Sequence, residues 1–167
     1  MNASTEINKY IDIEGRTFCI SKYPANDGIK TARLAIAKLL PAFEDFISPE
    51  KFAQLTSGET SEDEIWELLN VANITRALEL VSDDDIDTIF NRALLNCYER
   101  LPAGNARVKN ANGTYGVEGV EYDYVLAIRL VAESLIWSIG SFFVGDRLTS
   151  MVTDIRGSDT QSQDAAT

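Results

Sequence analysis

Ile7-Asn8-Lys9-Tyr10-Ile11-Asp12-Ile13, then Glu14-Gly15, then Arg16-Thr17-Phe18-Cys19-Ile20-Ser21-Lys22-Tyr23 is the stretch on which the fold turns. Side chains alternate across a strand, so Ile7, Lys9, Ile11 and Ile13 share one side and Asn8, Tyr10 and Asp12 the other. An acidic residue and a glycine between two β-rich runs read as a hairpin turn. A lone hairpin is marginal in water, so this one must pack on helices or join another chain's sheet.

Outward from the hairpin the pattern becomes helical. Pro24-Ala25-Asn26-Asp27-Gly28 is a turn, with Asn26 or Asp27 expected to cap a helix. Ile29, Ala32, Ile36, Leu39, Leu40, Phe43 and Ile47 recur at steps of three and four, the spacing of one apolar stripe. Pro41 removes a backbone donor inside this run, so a kink or break is expected near Leu39 and Leu40. Ser48-Pro49 reads as the restart of a short helix. Ser61-x-x-Glu64 is a capping box ahead of a stripe of Ile65, Leu68, Leu69, Ala72 and Leu78, with Trp66 beside it. Ser82-x-x-Asp85 opens another helix, striped by Ile86, Ile89, Phe90, Ala93, Leu94 and Cys97 and expected to end at Leu101-Pro102-Ala103-Gly104. Residues 105–120 read as a second short hairpin or ordered loop around Asn112-Gly113. The longest helix is expected from Tyr122 to about Met151, striped by Val125, Ile128, Ala132, Leu135, Ile136, Ile139, Phe142 and Phe143. Arg129 and Glu133, four apart, share a face of it and are placed to pair weakly. Within it, Tyr124 to Val144 is interrupted by Arg129 and Glu133, and a span needs roughly 20 apolar residues, so a buried helix is the better reading.

The fold class expected is therefore mostly α (α+β): one helical domain over residues 1–156 with a small N-terminal β-hairpin, followed by a disordered polar tail over 157–167. The 167 residues, 45% hydrophobic, suffice for a core without disulfides or metal. A formal net charge of −11 repels phosphate backbones and anionic membrane surfaces, which excludes nucleic acid and membrane as main partners. The charge serves solubility, and it suits the keeping of an aggregation-prone or basic partner in solution. Cys19 and Cys97 form no CxxC pair and fit small core residues of a reducing compartment. The first residues carry neither a basic nor an apolar signal region, so a cytoplasmic location is expected.

Chemistry is sparse. There is no histidine, which removes the commonest general base and metal ligand. Asp83-Asp84-Asp85-x-Asp87 has a cation-site reading and a helix-cap reading; the spacing and closing Glu of a calcium loop are missing, which favours the cap. Glu62-Asp63-Glu64 reads the same way. Gly113, Gly116 and Gly119 are not followed by the Gly-Lys-Ser/Thr of a phosphate loop. No catalytic residue, cofactor or metal is expected. What remains is apolar surface: Ile136 to Val144 is apolar nearly all round, and such a helix is either wholly buried or meets a partner. On the second reading Trp137, Ile139, Phe142 and Phe143 are the protein-binding residues, aromatic side chains being favoured in interface cores.

Phe18-Cys19-Ile20-Ser21-Lys22-Tyr23-Pro24-Ala25-Asn26-Asp27-Gly28-Ile29, followed by a helix containing Lys38-Leu39-Leu40-Pro41-Ala42, resembles the tail assembly chaperones of tailed bacteriophages. The clearest match covers about Ile11 to Phe46; the acidic helical middle and the late aromatic helix at Phe142-Phe143 match in architecture. The resemblance implies a non-catalytic helper in the bacterial host cytoplasm. Such a helper coats the long helical tape measure protein, keeps it soluble until tail tube subunits polymerise around it, and then leaves. It brings no catalytic residues, and homo-oligomers are compatible with it. Two rivals stand beside it: a structural virion component, such as a tail completion or connector protein, and a carboxylate-dependent enzyme using Asp83, Asp85 or Asp87.

Overall fold

The first turn forms as the residue pair dictates. Glu14 and Gly15 both adopt positive φ, 51° and 78°, which is the requirement of a two-residue type I′ hairpin. It joins β1 (Asn8–Ile13) to β2 (Arg16–Ser21), paired antiparallel from Asn8↔Ser21 to Ile13↔Arg16. The computed structural model describes residues 6–44, 48, 50, 67 and 71–143. The capping box at Ser61, the 157–167 tail and the end of the last helix beyond residue 143 lie outside these residues.

The hairpin is not a small appendage to a helical domain. It is half of a four-stranded antiparallel sheet in the order β1-β2-β3-β4, completed by β3 (Cys97–Leu101) and β4 (Gly104–Arg107). The fold is an α+β mix, which corrects the mostly helical expectation. β2 is central, and Phe18, Cys19 and Ile20 are buried on both of its faces. Buried backbone donors and acceptors must be paired, and the far edge of β2 finds its partners in Cys97, Tyr98 and Glu99. The helix expected to run to Leu101 therefore stops at Leu94, and Cys97 belongs to a strand. The second hairpin turns at Pro102-Ala103, where Leu101 pairs with Gly104.

Residues 108–120 form an ordered loop. Asn110 and Thr114 close a turn around Asn112-Gly113, and one bridge joins Lys109 to Tyr115. Its Val108, Val117 and Val120 are buried in the core. Gly116 is required there, because a Cβ would come within 2.5 Å of the Arg107 carbonyl oxygen.

Four α-helices are described: α1 (Ala25–Glu44), α2 (Val71–Glu79), α3 (Asp83–Leu94) and α4 (Tyr124–Phe143). Helix α1 begins at Ala25, with the Gly28 N–H donating to the Pro24 carbonyl, so neither Asn26 nor Asp27 is its cap. It stays helical through Pro41 to Glu44, and no break occurs. Helix α3 is capped as its sequence indicates: Ser82 Oγ accepts from the Asp85 N–H and donates to the Asp85 carboxylate at 2.8 Å. Its other end is closed by Asn96, whose side-chain amide donates to the Arg92 carbonyl.

Helices α3 and α4 cover one face of the sheet. The core joins Ile11, Ile13, Phe18 and Ile20 to Ile89, Leu94, Leu126, Leu130 and Val131. Helix α1 crosses α3 and α4, and a smaller cluster of Tyr23, Ala32, Ala35 and Ile139 seals its contact with α4.

Candidate protein-binding surface

Helix α4 is apolar on nearly every side, so it has more apolar surface than the core can take. Asp123 caps its start, accepting from the Leu126 N–H at 3.0 Å. Leu126, Ala127, Leu130, Val131 and Ser134 face the sheet and α3 and are buried. The stripe that spacing indicated is met only in part: Leu135 and Ile139 pack inward, and the rest of its described members do not. Val125, first of that stripe, is 72% exposed, and Ile128, Ala132 and Ile136 are only half-buried. A helix turns about 100° per residue, which puts these four on the side away from the sheet. Tyr122 and Tyr124, 80% and 77% exposed, extend the same end of the helix, and Glu121, next to Tyr122 in the chain, is exposed as well. Large side chains exposed together in this way mark interaction surfaces.

The four residues proposed from sequence have separate fates. Ile139 is buried against Tyr23, Ala32 and Ala35, so it holds α4 to α1 and is not offered to a partner. Trp137 is half-buried: its Nε1 donates to the Ile7 carbonyl and the Lys22 ammonium sits 4.6 Å from its ring centre. It thereby clamps the start of β1 to α4. Phe142 and Phe143 end α4, and their side chains lie outside the described residues. Sequence reasoning missed Tyr122 and Tyr124, whose only signal was two aromatic residues beside acids just ahead of a helix.

The polar groups under α4 hold the fold. Glu133, 5% exposed, is bridged by Lys9 from β1 at 2.9 Å. Glu99, on the same side of the sheet, takes both arms of the Arg16 guanidinium at 2.7 and 2.9 Å. Tyr23 Oη and Ser134 Oγ lie 2.8 Å apart, and Ser134 Oγ also reaches the Ala93 carbonyl. Burial raises the Tyr23 phenol well above its ordinary range, against the opposing pull of the Ser134 bond. Burial likewise pushes the Cys97 thiol up to about 12, so it remains a neutral core group. Asp85 serves the cap of α3 and also lies 3.6 Å from Lys38 of α1, while Asp83 and Asp84 stand in the same first turn. Among the described residues, no three His, Cys, Asp or Glu side chains stand together as a metal site. No described helix is long and apolar enough to cross a membrane.

The model of the phage tail assembly chaperone protein family, TAC, matches residues 14–152. The chain belongs to that family. As a tail assembly chaperone it is a protein of phage tail morphogenesis, and its match runs from the β1–β2 turn through all of α4. Residues 105–120 lie inside the matched span and supply three core valines to the chaperone. No curated protein matches it. No solved structure matches it either.

Proposed function

We propose that this chaperone works without catalysis, by binding the tape measure protein in the host cytoplasm and keeping it soluble until tail tube subunits replace it. The observation that carries the reading is the start of α4 and the turn before it, where Tyr122, Tyr124 and Val125 are exposed, Ile128 is half-buried and Glu121 adds an exposed charge. An amphipathic helix buries its apolar stripe in such a surface. A long helical protein awaiting assembly offers many stripes, so moderate affinity at each contact, summed over copies, would suffice and would still permit release.

The test is co-expression with the large helical protein encoded immediately downstream, read as the yield of soluble complex. The expected result is that the partner becomes soluble and co-purifies only when this chain is present. A partner that stays insoluble, with this chain retained in mature particles, would replace the chaperone role by that of a structural tail component.

A further inference from the structure

Glu99 is a carboxylate where the core has little room for one. It stands on β3 directly opposite Phe18, on the side of the sheet that the helices cover, and it is 8% exposed. A buried charge is tolerated only when it is paired and hydrogen-bonded. Arg16, the first residue of β2, supplies both. Its Nε and Nη2 donate to the two carboxylate oxygens, and its guanidinium lies 5.2 Å from the centre of the Phe18 ring. Two parallel donors to two oxygens is a fork that arginine provides and lysine does not.

The same guanidinium reaches further. Nη2 also donates to the Glu118 carbonyl at 3.2 Å. The bond to Glu99 raises the pKa of Arg16 first, and the charges of Glu99, Asp123 and Glu118 add to it against the cost of burial. Arg16 therefore lies beside the segment that leads into α4. That segment has only weak bonds of its own. Gly119 turns the chain with a φ of 84°, and Val120–Tyr122 form a single 3-10 turn. The Tyr122 N–H donates to the Gly119 carbonyl at 3.3 Å and the Asp123 N–H to the Val120 carbonyl at 3.4 Å, the far end of the hydrogen-bonding range. Tyr122 and Tyr124 are largely exposed, so their rings do little to anchor the backbone. The anchors among the described residues are the buried Val120 side chain, the Asp123 cap of α4 and the Arg16 bond to Glu118.

We propose that Arg16 is a positioning residue for the surface at the start of α4: tethered to Glu99, it holds the Glu118 carbonyl and so fixes how Tyr122, Tyr124 and Val125 are presented to a partner. The inference rests on the reading of that surface as the partner's site. Without the tether the segment samples more conformations, and a partner must order it on binding, which lowers affinity. Arg16 acts through the segment and needs no contact with the partner. A lysine in its place keeps a positive charge for Glu99 but lacks the rigid second donor for Glu118.

Two readouts test this. In amide hydrogen exchange of the free chain, R16K should speed exchange at Tyr122, Asp123, Leu126 and Ala127 severalfold and leave the first turn of α3 as in the wild type. S82A, which removes the cap of α3, should do the reverse. In the co-expression assay, R16K should lower the yield of soluble complex severalfold, while S82A keeps the wild-type yield. E99Q removes the anchor of the tether without leaving a buried carboxylate unpaired; it should loosen the same amides, and it keeps the test open where R16K does not fold. Wild-type exchange at these four amides in R16K and E99Q overturns the proposal. A yield that falls equally in R16K and S82A also overturns it, because lost stability then explains the effect. The underlying reading fails in a different way: V125D with full yield removes the partner from this surface, and takes the role of Arg16 with it even where R16K has loosened the segment.

Discussion

At the scale of single residues, burial decides what the ionisable groups do. Tyr23 and Cys97 both keep their protons more tightly in the folded chain than in the unfolded one, because neither anion tolerates the core. The unfolded thiol and phenol release theirs near pH 8.5 and about 10. Above those values the unfolded state binds fewer protons than the native state, so stability falls as pH rises. It is whole below about pH 8 and erodes from roughly pH 8.5 upward, by on the order of 3–4 kcal/mol at about pH 10.5. Urea midpoints at the two pH values should show this loss in the wild type and much less of it in Y23F/C97A; an equal loss in both would place the alkaline sensitivity elsewhere. Composition placed Cys97 among small core residues, and its burial agrees. Nothing in the sequence could show that Glu133 would be met by Lys9, because the two are 124 positions apart.

At the scale of elements, those with local signals were legible. Glu14-Gly15 specified a type I′ turn through backbone conformation alone, and Ser82-x-x-Asp85 specified the start of α3 through a side chain one turn away. Replacing Ser82 by alanine leaves the Asp85 N–H without its acceptor and should lower stability by about 1 kcal/mol, measured by urea denaturation. A change below a few tenths would mean that water replaces the cap at no cost. The far end of α3 was misread, because Cys97-Tyr98-Glu99-Arg100-Leu101 contains good helix formers and continues the helical spacing. What turns it into β3 is the exposed edge of β2, a partner that local propensity does not contain. The sheet-facing side of α4 was misread for a related reason: a helix apolar all round has no single stripe for periodicity to find.

At the scale of the whole molecule, the distinction between core and surface on α4 becomes testable. Substituting aspartate for Val125 alters a side chain that is 72% exposed, so stability should stay within about 0.5 kcal/mol of the wild type. The yield of soluble complex in the co-expression assay should nevertheless drop severalfold. The same change at Ile139, 4% exposed, buries a charge between α1 and α4 and should unfold the chain. If V125D retains full yield, the partner is held elsewhere. The candidate surface was therefore legible only as a choice of helix. Trp137 and Ile139 were singled out for their apolar bulk, yet the fold uses the one to clamp β1 and the other to seal α1.

What the sequence determined by itself was whatever acts over a few residues or over the total composition: the hairpin turn, the cap of α3, the family resemblance at Phe18–Ile29, and an acidity that repels nucleic acid. Tertiary structure alone decided that two distant hairpins share one sheet and which side of α4 the core takes. The reason is the same each time. Strand pairing and helix packing satisfy backbone groups and apolar surfaces with partners dozens of residues away, and local spacing carries no record of which partner is reached.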